Sequence, residues 1–312
     1  MYYYSRQLSS FAGDHCMADF HVFQILTHYT SRAALDPGFG VVDNCANERP
    51  DWFEYWPMRK FLLTEALDED AFYGFLSPKF KVKTNLTSAR VYEFVRHCDA
   101  RTEVVLFSPS IHNGAQFLNV FEHGDAVHPG LLSTSKQLLE RLKISVDLDE
   151  LVTDSRTTVY SNYFVAKPRF WRAWLAINEQ LFSIAEREED ELGRALRSTT
   201  SYRGRSQVQM KVFIMERIAT LILATDASFA ACVRNPFIAG KRIYKLPLAI
   251  ISDALKIAYR TQGFDQYKEA FLLVRALRKF WNFQLRLGVW IGWPSVCLYT
   301  RRLASYWARA EQ

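Results

Sequence analysis

Apolar and polar positions alternate between two periods over the first 110 residues. Phe20–Thr27 (FHVFQILT) is apolar and β-rich, and its pattern predicts a first buried strand. Asp36-Pro37-Gly38 marks a turn, and Val41–Asn44 a short second strand. At Glu48-Arg49-Pro50-Asp51 the period changes. An early proline, an acid in the first turn and aromatics at helical spacing predict a helix through about Leu63. Ala71–Leu76 (AFYGFL) is a third strand, closed by Ser77-Pro78. Thr87–His97 is an amphipathic helix capped by Thr87 or Ser88, and Glu103–Phe107 is a fourth strand halted by Ser108-Pro109. Such alternation predicts an α/β fold with a mostly parallel sheet and crossover helices. Ligands of these sheets bind beyond the carboxyl ends of the strands. That rule selects Thr27, His28, Asn44, Ser77 to Lys79 and Ser108 to Ser110.

Further along, Asn113–Gly130 is irregular, Leu131–Leu142 is a helix, Ser161–Val165 a strand and Arg169–Glu186 a helix. Arg187–Ser206 is rich in charge, Ser, Thr and Gly, and Leu196–Ser206 reads as a mobile loop. Lys211–Ala224 is a largely buried helix. Leu246–Gly263 and Phe264–Arg286 form a final helical pair. The expected organisation is a body over 1–240 and a basic helical extension over 241–312.

Composition supports a folded core: 49% of the 312 residues are hydrophobic and 23% charged. The 8 Trp, 15 Tyr and 23 Phe are mostly core, with some free to stack on sugars or bases. The +6 formal charge is unevenly placed. From Lys241 to Gln312 there are 13 Lys and Arg against 4 Asp and Glu, and the rest of the chain is slightly acidic. A basic lobe suits anionic lipid headgroups or nucleic acid phosphates, and equally a solvated face. The five cysteines show no C-x-x-C spacing, so neither a zinc site nor a disulfide framework is expected. The opening MYYYSRQLSSFAGDH has no basic-then-apolar signal pattern, and no stretch approaches the ~20 apolar residues of a membrane span. The expected location is cytoplasmic, with peripheral attachment at the inner membrane left open by Phe280–Tyr299 and Arg301-Arg302.

Three groups carry candidate chemistry. Glu122-His123-Gly124-Asp125 with His128-Pro129-Gly130 gathers ionisable groups and glycines suited to a metal or acid/base site, or to a polar surface loop. Glu216-Arg217 lies inside an apolar helix, where burial is expensive unless the pair is bonded or faces a cavity. Its functional reading makes Glu216 a base on the acceptor hydroxyl or a group that orients the acceptor, with Arg217 on a phosphate or on that carboxylate; its structural reading is an ion pair. Arg59, Lys79, Lys81 and Lys83 suit a diphosphate near the strand ends, although alternating lysines also suit an exposed edge. Trp52 and Trp56 share one helix face. Phosphate-loop, dinucleotide, esterase and zincin motifs are missing, so kinase-like, classical dehydrogenase, esterase and zincin readings have no support.

HVFQILTHYTSRAALDPGFGVVDN, YGFLSPKF, the Asn162-Tyr163-Phe164 segment and the Met215-Glu216-Arg217 helix, in this order, resemble bacterial glycosyltransferases of capsular and exopolysaccharide assembly with a GT-A-like, Rossmann-like fold. The likeness runs from Phe20 to Ala224. It implies transfer of a sugar from a nucleotide-sugar donor to a polysaccharide or lipid-linked acceptor. It places Gln24 near the nucleotide, Asn162 and Tyr163 near donor or acceptor, and Glu216 near the acceptor. Taken with the residue clusters above, Glu216 and Asp125 are the catalytic candidates. Gln24, Asn44, Arg59, Ser77, Lys79 and Ser108 take the donor, and Glu122, His128, Asn162, Tyr163 and Arg217 meet acceptor or donor. No D-x-D follows the fourth strand, where Ser108-Pro109-Ser110 stands instead. Mn or Mg therefore remains open as cofactor, and basic side chains are left to neutralise the donor. An anionic membrane surface is a compatible partner and nucleic acid is not expected. The alternatives are a non-catalytic scaffold of the same fold and a basic nucleic-acid-binding protein.

Overall fold

The computed structural model describes residues 19–108, 114–187, 190–202, 206–234 and 246–287. The Phe280–Tyr299 tail from residue 288 on, Ser110, Cys16 and Cys297 lie outside them. Six strands form the main sheet: β1 (Phe20–Thr27), β2 (Gly40–Asn44), β3 (Phe72–Leu76), β4 (Val104–Leu106), β5 (Phe164–Ala166) and β8 (Ala231–Val233). Their order is β2-β1-β3-β5-β4-β8. All neighbours are parallel except β5, which runs against both β3 and β4. The expectation of an α/β fold with a mostly parallel sheet flanked by helices agrees with this architecture.

Side chains of alternate parity enter two cores, because strand residues point to opposite faces. Ile25, Tyr73, Phe75, Val104, Leu106, Phe164 and Ala166 pack on one side, and Val22, Phe72, Leu76, Val105 and Val165 on the other. Helices α2 (Phe80–Thr84) and α3 (Ser88–Arg96) cover the second face. The first is covered by α1 (Tyr55–Thr64), α4 (Val120–Val127), α5 (Leu131–Arg141), α6 (Pro168–Arg187), α7 (Glu191–Arg197), α8 (Met210–Met215) and α9 (Ile218–Thr225). Trp171 on α6 anchors that side. It stacks on Phe164 at 4.5 Å and donates from Nε1 to the Tyr73 carbonyl at 3.0 Å. Truncating such a fully buried aromatic costs about 3–5 kcal/mol.

The structure departs from the sequence reading in four places. The helix expected from Glu48 is a 3-10 turn over Pro50–Trp52 followed by α1, so Trp52 and Trp56 do not share one helix. Glu122 to Asp125, expected in irregular chain, lie in α4, capped by Asn119, whose side chain accepts from the Phe121 and Glu122 amides. Leu196–Ser206, expected as a mobile loop, includes the end of α7 and the antiparallel pair β6 (Thr199–Tyr202) and β7 (Ser206–Gln209). The helix expected over Lys211–Ala224 is broken into α8 and α9 at Glu216-Arg217.

Helices α10 (Leu246–Gln262) and α11 (Asp265–Leu287) are fastened to the body by charge. Asp253 accepts from the Ser155 amide at 2.7 Å and its hydroxyl at 2.6 Å. Arg260 reaches Asp154 at 3.1 Å, and Arg275 reaches Glu122 at 2.6 Å. Lys256, 3% exposed, donates to the Gly114 carbonyl at 2.8 Å. Burial pushes that ammonium down to about 8, against the pull of nearby acids. Among the described residues no helix is long and apolar enough to cross a membrane.

Candidate functional site

Beyond the carboxyl ends of β1 and β3, widely separated segments meet. Because β5 is reversed, the turn that precedes it lies at this same edge of the sheet. Ser77, just past β3, and Tyr163, just before β5, share a hydroxyl–hydroxyl hydrogen bond of 2.6 Å. The β5 turn holds Ser161 and Asn162 at φ of +60° and +52°. Two successive non-glycine residues in the left-handed region cost energy, and such strain gathers at functional sites. Lys83, on α2, donates to the Ser161 hydroxyl at 3.0 Å and lies 5.2 Å from the centre of the Tyr163 ring. The Asn162 Oδ1 is buried without a hydrogen-bond partner.

Two carboxylates reach this edge. Glu216 occupies the break between α8 and α9, where the Arg217 amide bonds back to the Ile214 carbonyl at 2.9 Å in 3-10 fashion. Short 3-10 interruptions inside helices often mark functional positions. Glu54 precedes α1 and follows Phe53, whose φ of +48° and ψ of −131° lie outside the regions open to ordinary residues. Strain of that kind costs on the order of 1–3 kcal/mol. Phe53 is nonetheless 46% exposed, an aromatic face turned to solvent beside the acid.

Neither the Glu54 nor the Glu216 side chain makes a hydrogen bond or ion pair among the described residues. Both keep partial exposure while protein surrounds them on most sides. Burial, then the charge on Glu216, pushes Glu54 up to about 7, although Lys83 and Lys79 oppose the shift. Burial also raises Glu216, against Arg217 and Lys83. At neutral pH Glu54 is therefore divided between acid and base forms. Such a carboxyl can take up or deliver a proton under those conditions.

Behind Glu216 lies Arg217, only 7% exposed. Its Nε donates to the Val120 carbonyl at 2.9 Å and its Nη1 to the Phe213 carbonyl. No Glu216–Arg217 ion pair forms, so the structural reading of that pair fails. Nearby, His123 and Tyr160 meet edge-on at 5.6 Å.

Other residues singled out in the sequence have different surroundings. Gln24 is 1% exposed; it donates to the Ser77 carbonyl at 3.3 Å and accepts from the Asp36 amide at 2.6 Å. It thus braces the strand end rather than presenting a free amide. Arg59 is bidentate to Glu179 on α6, at 2.6 and 2.7 Å, and lies over the Phe182 ring, away from a diphosphate role. Asp125 caps the chain entering α5, accepting from the Gly130 and Leu132 amides at 3.0 and 3.1 Å. His128 is buried and stacked on Phe213 at 3.6 Å, so Asp125 and His128 do not converge as a ligand pair. Glu122 accepts from the Leu118 amide and pairs with Arg275. Ser108 ties the 158–160 segment, donating to the Thr158 carbonyl at 2.8 Å and accepting from the Tyr160 amide at 3.1 Å. Asn44, opposite Thr27, lines a groove of about 210 Å³ between β2 and α1. Lys79 is exposed at the start of α2, close enough to act on Glu54.

Glu54 is the residue that sequence reasoning passed over. Its signal was an acid inside the aromatic run Trp52-Phe53-Glu54-Tyr55-Trp56, a setting that strips water from a carboxylate. Among the described residues no three His, Cys, Asp or Glu side chains converge as a metal-binding group. No protein-family model, curated protein or solved structure matches the chain.

Proposed function

We propose that the protein is a glycosyltransferase that moves a sugar from a nucleotide-sugar donor to a polysaccharide or lipid-linked acceptor, and that its fold is of the GT-A type. The observation that carries the reading is the pair Glu54 and Glu216: two deep carboxyl groups, without hydrogen-bond partners among the described residues, at the sheet edge where α/β folds receive ligands. Transfer to a hydroxyl needs a base on the acceptor, and a carboxylate tuned towards neutrality meets that need. Lys79 and Lys83 supply positive charge beside the pair, where a donor diphosphate develops negative charge on leaving. Phe53 offers a ring to a sugar face. The basic quarter from Lys241 onward suits attachment to an anionic membrane that carries the acceptor.

The test is a thermal-shift panel of UDP, GDP, CMP and TDP nucleotides and their sugars, each with and without Mn²⁺, followed by a transfer assay with the stabilising donor. Selective stabilisation by one nucleotide and turnover lost in Glu216→Gln, with the fold intact, are the expected results. No shift with any nucleotide removes the reading.

A further inference from the structure

We infer that Arg217, Tyr160 and His123 together bind a phosphoryl group. The inference deepens the reading that set Arg217 on a phosphate, and adds Tyr160 and His123, which the Glu54–Glu216 chemistry does not use.

The first support is an uncompensated charge. A guanidinium taken out of water is normally paired with a carboxylate, since an isolated buried charge is costly. Arg217 has no ion pair among the described residues, and its hydrogen bonds run to two main-chain carbonyls. Glu216, next in the chain, does not close on it, and burial favours the neutral form of that acid.

The second support is the way the chain makes room. Gly124 lies against the guanidinium. A Cβ at that position would stand 2.6 Å from Nε and 2.7 Å from Nη2, so only glycine leaves the charge in place. A glycine in the interior of α4 weakens the helix, and a close approach of this kind accounts for it.

The third support is two further polar atoms with nothing to bond. The Tyr160 hydroxyl and the His123 Nδ1 are both buried without a partner. They belong to rings in edge-on contact at 5.6 Å, and both feel the Arg217 charge. Tyr160 is fixed relative to α9 because the Val159 amide donates to Thr220 Oγ1 at 2.8 Å. His123 immediately precedes Gly124 on α4. Burial, then Arg217, pushes His123 down to about 4, so at neutral pH the imidazole is uncharged and offers one N–H. A guanidinium, a phenol and an imidazole thus come together with more donors than the protein gives them acceptors. A phosphoryl group carries several oxygens in a tetrahedral array and can accept from the guanidinium and the phenol, and from the imidazole in the tautomer that carries its proton on Nδ1. A planar carboxylate is matched by the guanidinium fork alone.

The experiment is a titration of the full chain with inorganic phosphate, pyrophosphate, a nucleoside diphosphate and a short-chain alkyl phosphate, at constant ionic strength set with chloride. Melting temperature and heat of binding are read. Saturable binding is expected, and the tightest ligand identifies whether the phosphoryl group comes from a nucleotide or a lipid-like phosphate. Arg217→Lys should abolish it. Tyr160→Phe is the cleaner variant, because the lost hydroxyl has no partner in the free protein. It should keep or raise the melting temperature without ligand and weaken phosphate binding at least fivefold. Equal half-saturation in wild type and Tyr160→Phe, or no saturable response to any phosphate, as for a site that holds only water, overturns the inference. Phosphate binding without response to any nucleotide sugar leaves this site standing and removes the transferase reading. Nucleotide binding that ignores Tyr160→Phe does the reverse.

Discussion

Glu54 and Glu216, far apart in the chain, act on each other in the fold: the charge on Glu216 adds to burial in holding Glu54 near 7. Lys83 links the pair to the β5 turn, because it pulls on both acids while donating to Ser161. Proton affinity at this pair is therefore a property of the assembled fold, set by chain segments that only the tertiary structure brings together.

Glu54→Gln should stabilise the protein at alkaline pH. In the unfolded chain this carboxyl titrates near 4.5, and in the fold near 7. The folded state thus binds its proton more tightly. The stability contributed by the group is complete below pH 4.5 and is lost as the pH rises through about 7. Glutamine carries no charge to bury, so the variant should exceed wild type at pH 8 by on the order of 2 kcal/mol, and the gap should close at pH 4.5. Thermal melts at the two pH values measure this, and equal melting at pH 8 would show that Glu54 is well solvated.

The sheet was legible in the sequence because β1, β3 and β4 are short apolar runs bounded by turn residues, and α3 and α6 have clear amphipathic periods. The reversal of β5 was not. A three-residue buried strand reads alike in either direction, and its orientation is decided by pairing with β3 and β4. The strand-end rule selects Ser77 and Lys79, and the fold sets them beside Tyr163 and Glu54; Asn162 and Tyr163 were chosen on resemblance alone, because the reversed β5 that brings them to this edge has no sequence signal. Arg59 was misread because its partner, Glu179, lies more than a hundred residues away on a helix whose docking no local pattern reveals. Glu54 was missed because an acid among aromatics is indistinguishable from a helix-start acid until Phe53 is seen in a strained conformation.

His123 should make the protein acid-sensitive. Its folded value of about 4 lies below the 6.5 of an unperturbed imidazole. The unfolded chain therefore binds the proton more readily, and stability from the neutral ring is present above pH 6.5 and falls as the pH drops towards 4. His123→Gln should lose less stability than wild type between pH 7 and 4, by on the order of 2 kcal/mol. Urea unfolding at several pH values gives the comparison, and parallel curves for the two proteins would mean that His123 is freely protonated in the fold.

Arg59→Lys should weaken the fold and leave nucleotide affinity unchanged. The guanidinium makes a two-pronged contact with Glu179 and covers Phe182, and the Tyr55 hydroxyl donates to the same carboxylate at 2.5 Å. Lysine cannot reproduce the fork or the stacking. The loss should be about 1 kcal/mol, since the pair is partly open to solvent. A drop in donor affinity without loss of stability would instead return Arg59 to the donor-binding residues.

Gly124→Ala tests how tightly Arg217 is held. A methyl group at 124 would come within 2.6–2.8 Å of the guanidinium Nε, Nη2 and Cζ. The guanidinium cannot simply swing away, because Nε and Nη1 are bonded to the Val120 and Phe213 carbonyls. Alanine is otherwise the better helix former, by about 1 kcal/mol. A stabilising change is therefore the expectation from helix propensity alone, and a loss of about 1–3 kcal/mol the expectation from overpacking. The contact geometry favours the loss. In an Arg217→Ala background the obstruction is gone, and the same Gly124→Ala change should become neutral or stabilising. The two substitutions should thus be strongly non-additive in a double-mutant cycle read by urea unfolding. Additive effects would mean that the guanidinium moves freely, and that the glycine is not there to admit it.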